Sequence, residues 1–356
     1  MRNSTFIPTS NESVVWSAKD QAWHVYSFNS VKSILKSPDF VANYLGHLSD
    51  QEKKCFLKDH DLLRQDTSKF LKTKQLDFDK TINSTVDAFC SLFFAEKKSD
   101  IATDLILPLC QSLANLLTGI DTELANNHKL VELSIDIFDM TNDTDEAKEK
   151  GSSATQKFAE FLHKHLRNTN KGLHHELGSD GQSNEILRGY APSFIIQMYV
   201  ALVSSLPLLL ANSIVEIAIL SAVTKPDGKK QNTLNELLRL NGPSIFISRV
   251  CAKETELHGL KIEKNDNLML FLATANRDNT KFKNAHSFEF NRKNAPVLSF
   301  GTGIHSCIGA NIVRSVLGSF VSCFSAYNDR FKLDLNDVKV GGSNRIKGYS
   351  SLPIEW

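Results

Sequence analysis

The spacing of apolar residues divides the chain into a long helical part and a shorter part made of strands. From residue 51 to about residue 223, apolar positions recur mostly at helical spacing, with polar breaks near 142–152 and 168–184. Beyond residue 240, short apolar runs alternate with glycine and charged turns. This second pattern predicts short strands over 244–250, 257–262 and 268–272.

Both ends of the chain add smaller elements. Residues 23–28 (WHVYSF) are rich in aromatics and predict a strand. Residues 29–37 (NSVKSILKS) predict a helix that opens with an Asn/Ser cap and stops before Pro38. Near the other end, 308–325 is a helical run and 345–356 resembles strands joined by turns. We therefore expect a mainly α fold with a small β part, forming one domain over residues 1–356.

One stretch raises the question of a membrane. Residues 189–215 carry no charge, and about 20 apolar residues suffice to cross a bilayer. The stretch also contains Pro192, Gln197, Pro207 and Asn212, and no basic cluster flanks it on one side. A spanning helix and a long helix buried in a large α domain are both open, and we favour the buried helix and no membrane span.

Composition narrows the class of protein. The 41 basic and 40 acidic residues give a net charge of +1, so the chain has no global field to attract nucleic acid or an anionic membrane. The six cysteines are irregularly spaced without a C-x-x-C, which argues against a disulfide framework. The first 16 residues contain no apolar signal segment, so we expect a cytoplasmic protein.

The segment richest in candidate chemistry is 298–314, LSFGTGIHSCIGANIVR. Gly301 and Gly303 allow tight turns and the close approach of backbone to a flat ligand. Cys307 comes just before a predicted helix, whose N-terminal amides and dipole favour a thiolate. Gly309 removes a side chain close to that cysteine. The plain alternative is a glycine turn followed by a buried cysteine.

This segment resembles the haem-binding signature of the cytochrome P450 superfamily, F-G-x-G-x-H-x-C-x-G-x-x-x-A-R. Val313 departs, since alanine is usual there. The resemblance covers roughly residue 10 to the end, and it implies a soluble P450 of the bacterial type, with one domain around haem b and Cys307 as the iron ligand. The matching positions are Phe300, Gly301, Gly303, His305, Cys307, Gly309 and Arg314.

The resemblance also assigns charged residues. Glu236 and Arg239 match the family's E-x-x-R helix, and Arg292 matches the basic residue that this pair holds; all three are implied to be structural. A second group is implied to meet the haem propionates, where arginine suits bidentate pairing. Its members are His60 and Arg64 from an H-x-x-x-R pattern, Arg249 and His305.

The central helix departs from the family. Members usually have A-G-x-[DE]-T there, an acid–alcohol pair that relays protons during dioxygen activation. This chain has no Asp or Glu between Glu185 and Glu216. An ungapped alignment places Val200 at the acid and Ala201 at the alcohol, whereas a three-residue shift places Val203 and Ser204 there. The candidate distal positions are therefore Val200, Ala201 and Ser204.

The function implied by the resemblance is oxidation, as by a monooxygenase, of a small organic molecule of the secondary-metabolite type. A ferredoxin or flavodoxin type partner would supply electrons on the Cys307 side. The missing pair keeps open a haem-thiolate enzyme with other chemistry, namely peroxide-driven oxidation, dehydration or rearrangement. A catalytically degenerate haem protein that binds a ligand or partner is the remaining alternative.

Overall fold

The computed structural model describes residues 12–42, 50–120, 127–140, 144–165, 185–221, 231–293 and 295–356. The helices are α1 (Phe28–Lys36), α2 (Asp50–Ala95), α3 (Leu107–Thr118), α4 (Asn127–Asp139), α5 (Asp145–His165), α6 (Glu185–Ser221), α7 (Gln231–Asn241), α8 (Leu272–Ala275) and α9 (Ala310–Ser325). The strands are β1 (Val14–Ser17), β2 (Ala22–Val25), β3 (Phe40–Val41), β4 (Ile247–Cys251), β5 (Thr255–Leu257), β6 (Leu260–Ile262), β7 (Asn267–Leu270), β8 (Lys332–Leu333), β9 (Lys339–Gly342), β10 (Lys347–Ser351) and β11 (Ile354–Glu355). The predicted mainly α fold with a small β part is confirmed.

The chain forms two compact units. The first combines residues 1–62, 230–310 and 345–347, and the second combines 63–229, 311–344 and 348–356. Each unit is therefore assembled from segments that are distant in sequence. That residues 1–356 act as one domain stays a prediction.

The first unit is built on a five-stranded sheet in the order β1-β2-β7-β4-β3. β2 and β7 pair in parallel, with Trp23 opposite Leu268, while the other pairs are antiparallel. The antiparallel pairing of β4 with β7 sets Arg249 opposite Leu268. The sheet thus joins strands from the start of the chain to strands beyond residue 240.

Helix α1 packs its apolar face into the core of this unit. Val31 and Ile34 are buried with Val25 and Leu270. The capping residue is Ser27, whose hydroxyl accepts from the amide of Ser30, rather than the Asn/Ser pair predicted from sequence. The predicted strand 23–28 is correspondingly shorter, since β2 ends at residue 25 and residue 28 already begins the helix.

The second unit is helical, with α3, α4 and α5 packed around α6. The polar break predicted near 142–152 is wrong from residue 145 onward, because α5 begins there. Its first turn carries Asp145 and Glu146, and carboxylates at a helix N-terminus stabilise the helix. Polar composition therefore marked the start of a helix rather than a loop. The break predicted at 168–184 lies outside the described residues.

The long uncharged stretch forms the middle of α6. Residues Pro192–Leu220 are long and apolar enough to cross a membrane, but 67% of their most apolar window is buried inside the protein. Pro207 lies inside the helix, and Asn212 Oδ1 accepts from the amide of Tyr349 at 3.2 Å. These features are compatible with the predicted core helix.

The remaining strands differ from prediction mainly at their ends. Residues 257–262 form a hairpin of two strands rather than one strand, with β5 and β6 paired antiparallel. Its turn includes Gly259 with φ of +76°. The strand predicted over 268–272 ends at residue 270, because Leu272 begins α8.

Candidate functional site: an exposed cysteine loop

The loop that ends at Cys307 is held by its own backbone. The amide of Cys307 donates to the carbonyl of Phe300 at 2.8 Å, and the amide of Gly301 donates to Leu298 at 2.8 Å. The Cys307 side chain is exposed, and α9 begins three residues later at Ala310. The loop therefore presents one thiol outward, and the plain alternative of a buried cysteine is wrong.

The three glycines of the loop have different roles. Gly301 has φ of +63°, and a Cβ there would meet nothing within 4 Å, so backbone at this point faces open space. At Gly309 an added Cβ would meet only the sulfur of Cys307, at 4.0 Å. Gly303 has φ of +79°, and its Cβ would collide with the carbonyl oxygen of Leu35. The close approach predicted for Gly303 is therefore to the end of α1 rather than to a ligand.

A buried asparagine anchors the start of the loop. The Asn276 side chain accepts from the amide of Leu298 at 2.9 Å and donates to the hydroxyl of Ser299 at 2.9 Å. Ser299 in turn donates to the carbonyl of Leu238 on α7 at 2.6 Å. Asn276 lies in the tetrapeptide A-N-R-D, residues 275–278, which was not among the sites predicted from the sequence. Its asparagine positions the cysteine loop, and a polar residue between apolar neighbours was the available signal.

Three charged side chains form a cluster that contacts Asn276 through its backbone carbonyl. They are Glu236, Arg239 and Arg292, and we call them the Glu-Arg-Arg cluster. Glu236 is fully buried and accepts from Arg239 Nη2 at 3.0 Å and from Arg292 Nε at 2.8 Å. The amide of Glu289 also donates to this carboxylate, at 3.1 Å. The prediction that Glu236 and Arg239 are buried together is confirmed, and Arg292 donates to the same carboxylate, as the resemblance implied.

The guanidinium of Arg239, like the Glu236 carboxylate, has several hydrogen-bond partners. It donates to the carbonyls of Asn276 at 2.8 Å, Ala285 at 2.5 Å and Ser287 at 3.1 Å, and it lies 5.0 Å from the ring centre of Phe282. A buried charge is tolerated when it is paired and hydrogen-bonded in this way. The side chain of Asn276 also binds the start of the loop. The cluster and the cysteine loop are therefore connected through Asn276.

Comparison with known proteins agrees with this arrangement. The family model Cytochrome P450 matches residues 230–328, which include the Glu-Arg-Arg cluster and the cysteine loop. The solved structure of CYP164A2 from Mycobacterium smegmatis with econazole bound has a TM-score of 0.81 at 19% identity, covering 97% of this chain and 93% of that one. Residues 230–328 thus match the cytochrome P450 family, and the chain as a whole has the cytochrome P450 fold.

Curated relatives match a shorter segment. The putative cytochrome P450 140 of Mycobacterium tuberculosis is 34% identical over 130 residues, 35% of this chain and 28% of that protein. The methyl-branched lipid omega-hydroxylase of the same species is 29% identical over 137 residues, 36% of this chain and 30% of that protein. The matched segment thus spans less than a third of either relative, whereas the fold matches along nearly the whole chain.

The P450 family implies a haem cofactor, and the loop fits one. Cys307 offers a single exposed sulfur, and neither Gly301 nor Gly309 adds a side chain to the loop beside it. Within the described ranges no group of three or more His, Cys, Asp or Glu side chains gathers to hold a metal ion. A single exposed cysteine sulfur is a suitable ligand for haem iron.

The residues expected to meet the haem propionates are placed as follows. The rings of His60 and His305 lie 4.8 Å apart in an edge-to-face arrangement, so the structure brings these two together. Arg64 follows His60 by four residues on α2, hence on the same face of that helix. Arg249 on β4 is 7% exposed and donates to the carbonyl of Ser248 at 2.8 Å. That all four bind propionates stays a prediction.

Helix α6 carries a stripe of exposed residues. Ser193, Gln197 and Ala201 are exposed and recur every four residues, hence along one face. Val200 and Val203, the two positions aligned with the family's acid, are 7% and 6% exposed. Of the two registers considered, the ungapped one places the alcohol position on this stripe, at Ala201.

Two hydroxyl groups on α6 are buried without a hydrogen-bond partner among the described residues, those of Tyr199 and Ser204. Tyr199 is fully buried with its ring edge-to-face against Phe158, and burial raises its pKa. Ser205, by contrast, donates to the carbonyl of Ala201 at 2.9 Å. An unpaired buried hydroxyl costs about 1–3 kcal/mol, so this stretch is not optimised for stability.

Proposed function

We propose that this P450 is a haem-thiolate monooxygenase that oxidises a small organic molecule of the secondary-metabolite type. The observation that carries the proposal is the exposed thiol of Cys307 in a loop anchored by Asn276 and the Glu-Arg-Arg cluster. A protein that used this loop only as a scaffold would have no need of an exposed thiolate. The name of one relative, a hydroxylase, supports oxidative chemistry at carbon.

Each part of the site would have a separate role. Cys307 would bind the iron of haem b, and His60, Arg64, Arg249 and His305 would neutralise the propionates. Bound there, haem would supply one-electron and dioxygen chemistry, and the Cys307 thiolate would donate electron density to its iron. A ferredoxin or flavodoxin type donor would deliver the electrons, and the cytoplasm would be the compartment.

A second reaction is favoured by one feature of α6. No carboxylate lies between Glu185 and Glu216, and the aligned acid positions are buried valines. Without a side-chain acid, proton delivery relies on water, on the substrate or on a hydroxyl such as that of Ser204. Chemistry that bypasses dioxygen activation, such as peroxide-driven oxidation, dehydration or rearrangement, would not need that relay.

The test of the haem assignment is spectroscopic. The reduced carbon monoxide complex of the purified protein should show the red-shifted Soret band of thiolate ligation. Cys307→Ala and Cys307→His should both abolish that band, while Cys323→Ala, a change at a half-buried cysteine on α9, should keep it. A Cys307→Ala protein that retains the band would overturn the assignment.

The reaction type needs a second comparison. One substrate that the protein converts should be chosen. Its product should then be measured with NADH, ferredoxin reductase and ferredoxin, and separately with hydrogen peroxide. Faster product formation with the electron-transfer chain supports the monooxygenase. Turnover with peroxide alone supports the peroxide-driven enzyme, and product without either reagent indicates dehydration or rearrangement. Thiolate ligation without turnover of any substrate tested would favour a degenerate haem protein.

A further inference from the structure

Away from the cysteine loop, side chains of α2 and α9 contact each other within the second unit. Near the start of their contact, the hydroxyl of Ser315 donates to the carboxylate of Asp79 at 2.6 Å. Near its end, the ring centres of Phe94 and Phe324 are 5.8 Å apart. Both helices advance from the first contact to the second.

Cys90 on α2 and Cys323 on α9 lie between these two contacts, and their thiols hydrogen-bond to each other. Cys90 is fully buried, whereas Cys323 is half-buried. The hydrogen bond from Cys90 lowers the pKa of Cys323, against the opposing effects of burial and of Asp87. The same hydrogen bond and burial raise the pKa of Cys90. The more accessible sulfur is therefore the one that ionises first.

We propose that Cys90 and Cys323 form a redox modification site, which a hydroperoxide such as hydrogen peroxide converts to a disulfide between α2 and α9. Two sulfurs already in contact need little backbone movement to reach the bond, which is the usual obstacle to disulfide formation. Other described cysteines differ: Cys110 is enclosed in the core, and Cys251 hydrogen-bonds to the carbonyl of Lys253. This proposal does not depend on the chemistry at the haem.

The oxidation takes two steps. The Cys323 thiolate attacks one oxygen of the peroxide, which breaks the O–O bond, leaves a sulfenic acid on Cys323 and releases water after protonation. The Cys90 sulfur then attacks the Cys323 sulfur, which forms the S–S bond, breaks the S–O bond and releases a second water. The two thiols lose two electrons and two protons in all, and one peroxide becomes two waters.

Peptide mapping of the holoprotein tests the proposal. After treatment with hydrogen peroxide, remaining thiols are alkylated and the digest is analysed by mass spectrometry. We expect a linked peptide pair containing residues 90 and 323, lighter by two hydrogens than its reduced parts and separated again by a thiol reductant. The linked pair should disappear in Cys90→Ser and in Cys323→Ser and persist in Cys110→Ala.

A second measurement tests whether the Cys90 thiol itself reacts with the sulfenic acid of Cys323. In Cys90→Ser, Cys323 has no partner, so its sulfenic acid should proceed to the sulfinic acid, which the wild type should form much less. The oxidised wild type should also unfold at a higher temperature than the reduced protein, because the link closes a long loop. Cys323 converted to sulfinic acid in the wild type, with Cys90 still open to alkylation after unfolding, would overturn the proposal. So would a Cys323 that stays reduced while other cysteines oxidise.

Discussion

Two buried regions of the protein differ in how their polar groups are paired. In the Glu-Arg-Arg cluster, three charges are packed into the core and every one has hydrogen-bond partners at 2.5–3.1 Å. In the middle of α6 the side chains are mostly apolar, yet the hydroxyls of Tyr199 and Ser204 have no partner in the described structure.

The difference separates a structural role from a functional one. A buried charge that lost its partner would cost several kilocalories per mole, so the cluster is tied to the fold and to the loop that ends at Cys307. An unpaired hydroxyl costs less and is kept only where stability is not the main requirement. The cluster should therefore respond to mutation through folding, and α6 through reaction chemistry.

The largest effect is expected from breaking the Glu-Arg-Arg cluster. Glu236→Ala leaves two buried guanidinium groups without their carboxylate, which should lower the free energy of unfolding by about 3–5 kcal/mol. Soluble yield, haem content and denaturant unfolding measure the effect. Glu254→Ala is the control, because Glu254 is exposed and pairs with exposed Lys261, so little change is expected. A folded, haem-replete Glu236→Ala protein with merely slower turnover would contradict the structural role.

Next in size is the effect on haem retention at Arg249. Arg249→Leu removes a buried cation proposed to meet a propionate, and a hydrogen bond to a charged group contributes about 1.5–3 kcal/mol. Transfer of haem to apomyoglobin should therefore accelerate roughly 10–100-fold. Arg330→Leu, at an exposed arginine stacked 4.9 Å over Tyr327, is the matched control and should leave the transfer rate unchanged. Equal rates for the two variants would remove Arg249 from the propionate site.

A smaller effect should distinguish the two registers of α6. Ala201→Thr places a hydroxyl on the exposed stripe and should raise the ratio of product to released peroxide by about tenfold, part of the ~10²–10⁴-fold that acid–base assistance can contribute. Ser204→Thr keeps its hydroxyl at a buried position and should change that ratio little. Parallel assays of oxygen consumed, peroxide released and product formed give the ratio. Tight coupling in the unmodified enzyme would show that water already supplies the relay.

The smallest effect concerns stability on α6 itself. Tyr199→Phe removes a buried hydroxyl that has no partner, so the melting temperature should stay the same or rise. Ser213→Ala is the comparison on the same helix, because its buried hydroxyl donates to Leu209 at 2.7 Å, and its loss should cost about 0.5–1.5 kcal/mol. A Tyr199→Phe variant less stable than Ser213→Ala would mean that the Tyr199 hydroxyl has a partner after all, such as an ordered water.

Motifs of a few neighbouring residues gave the most reliable predictions. The spacing of Glu236 with Arg239 and the residues around Cys307 identified the cluster, the loop and the superfamily, because both motifs are compact and depend on fixed local geometry. Element boundaries were less reliable. Acidic residues at the start of α5 looked like a loop, since a polar helix N-terminus and a polar turn have similar composition.

Contacts between residues far apart in the sequence could not be predicted from any local pattern. Leu35 requires glycine at position 303, Asn276 holds the loop start, and Cys90 meets Cys323, all through contacts that close long segments of chain. The sequence by itself determined the resemblance to cytochrome P450, the helical class and the choice of Cys307 as the candidate ligand, because these follow from residue types at fixed spacing. Only the tertiary structure decided which polar groups are paired, because pairing depends on which distant segments the core brings within hydrogen-bond reach.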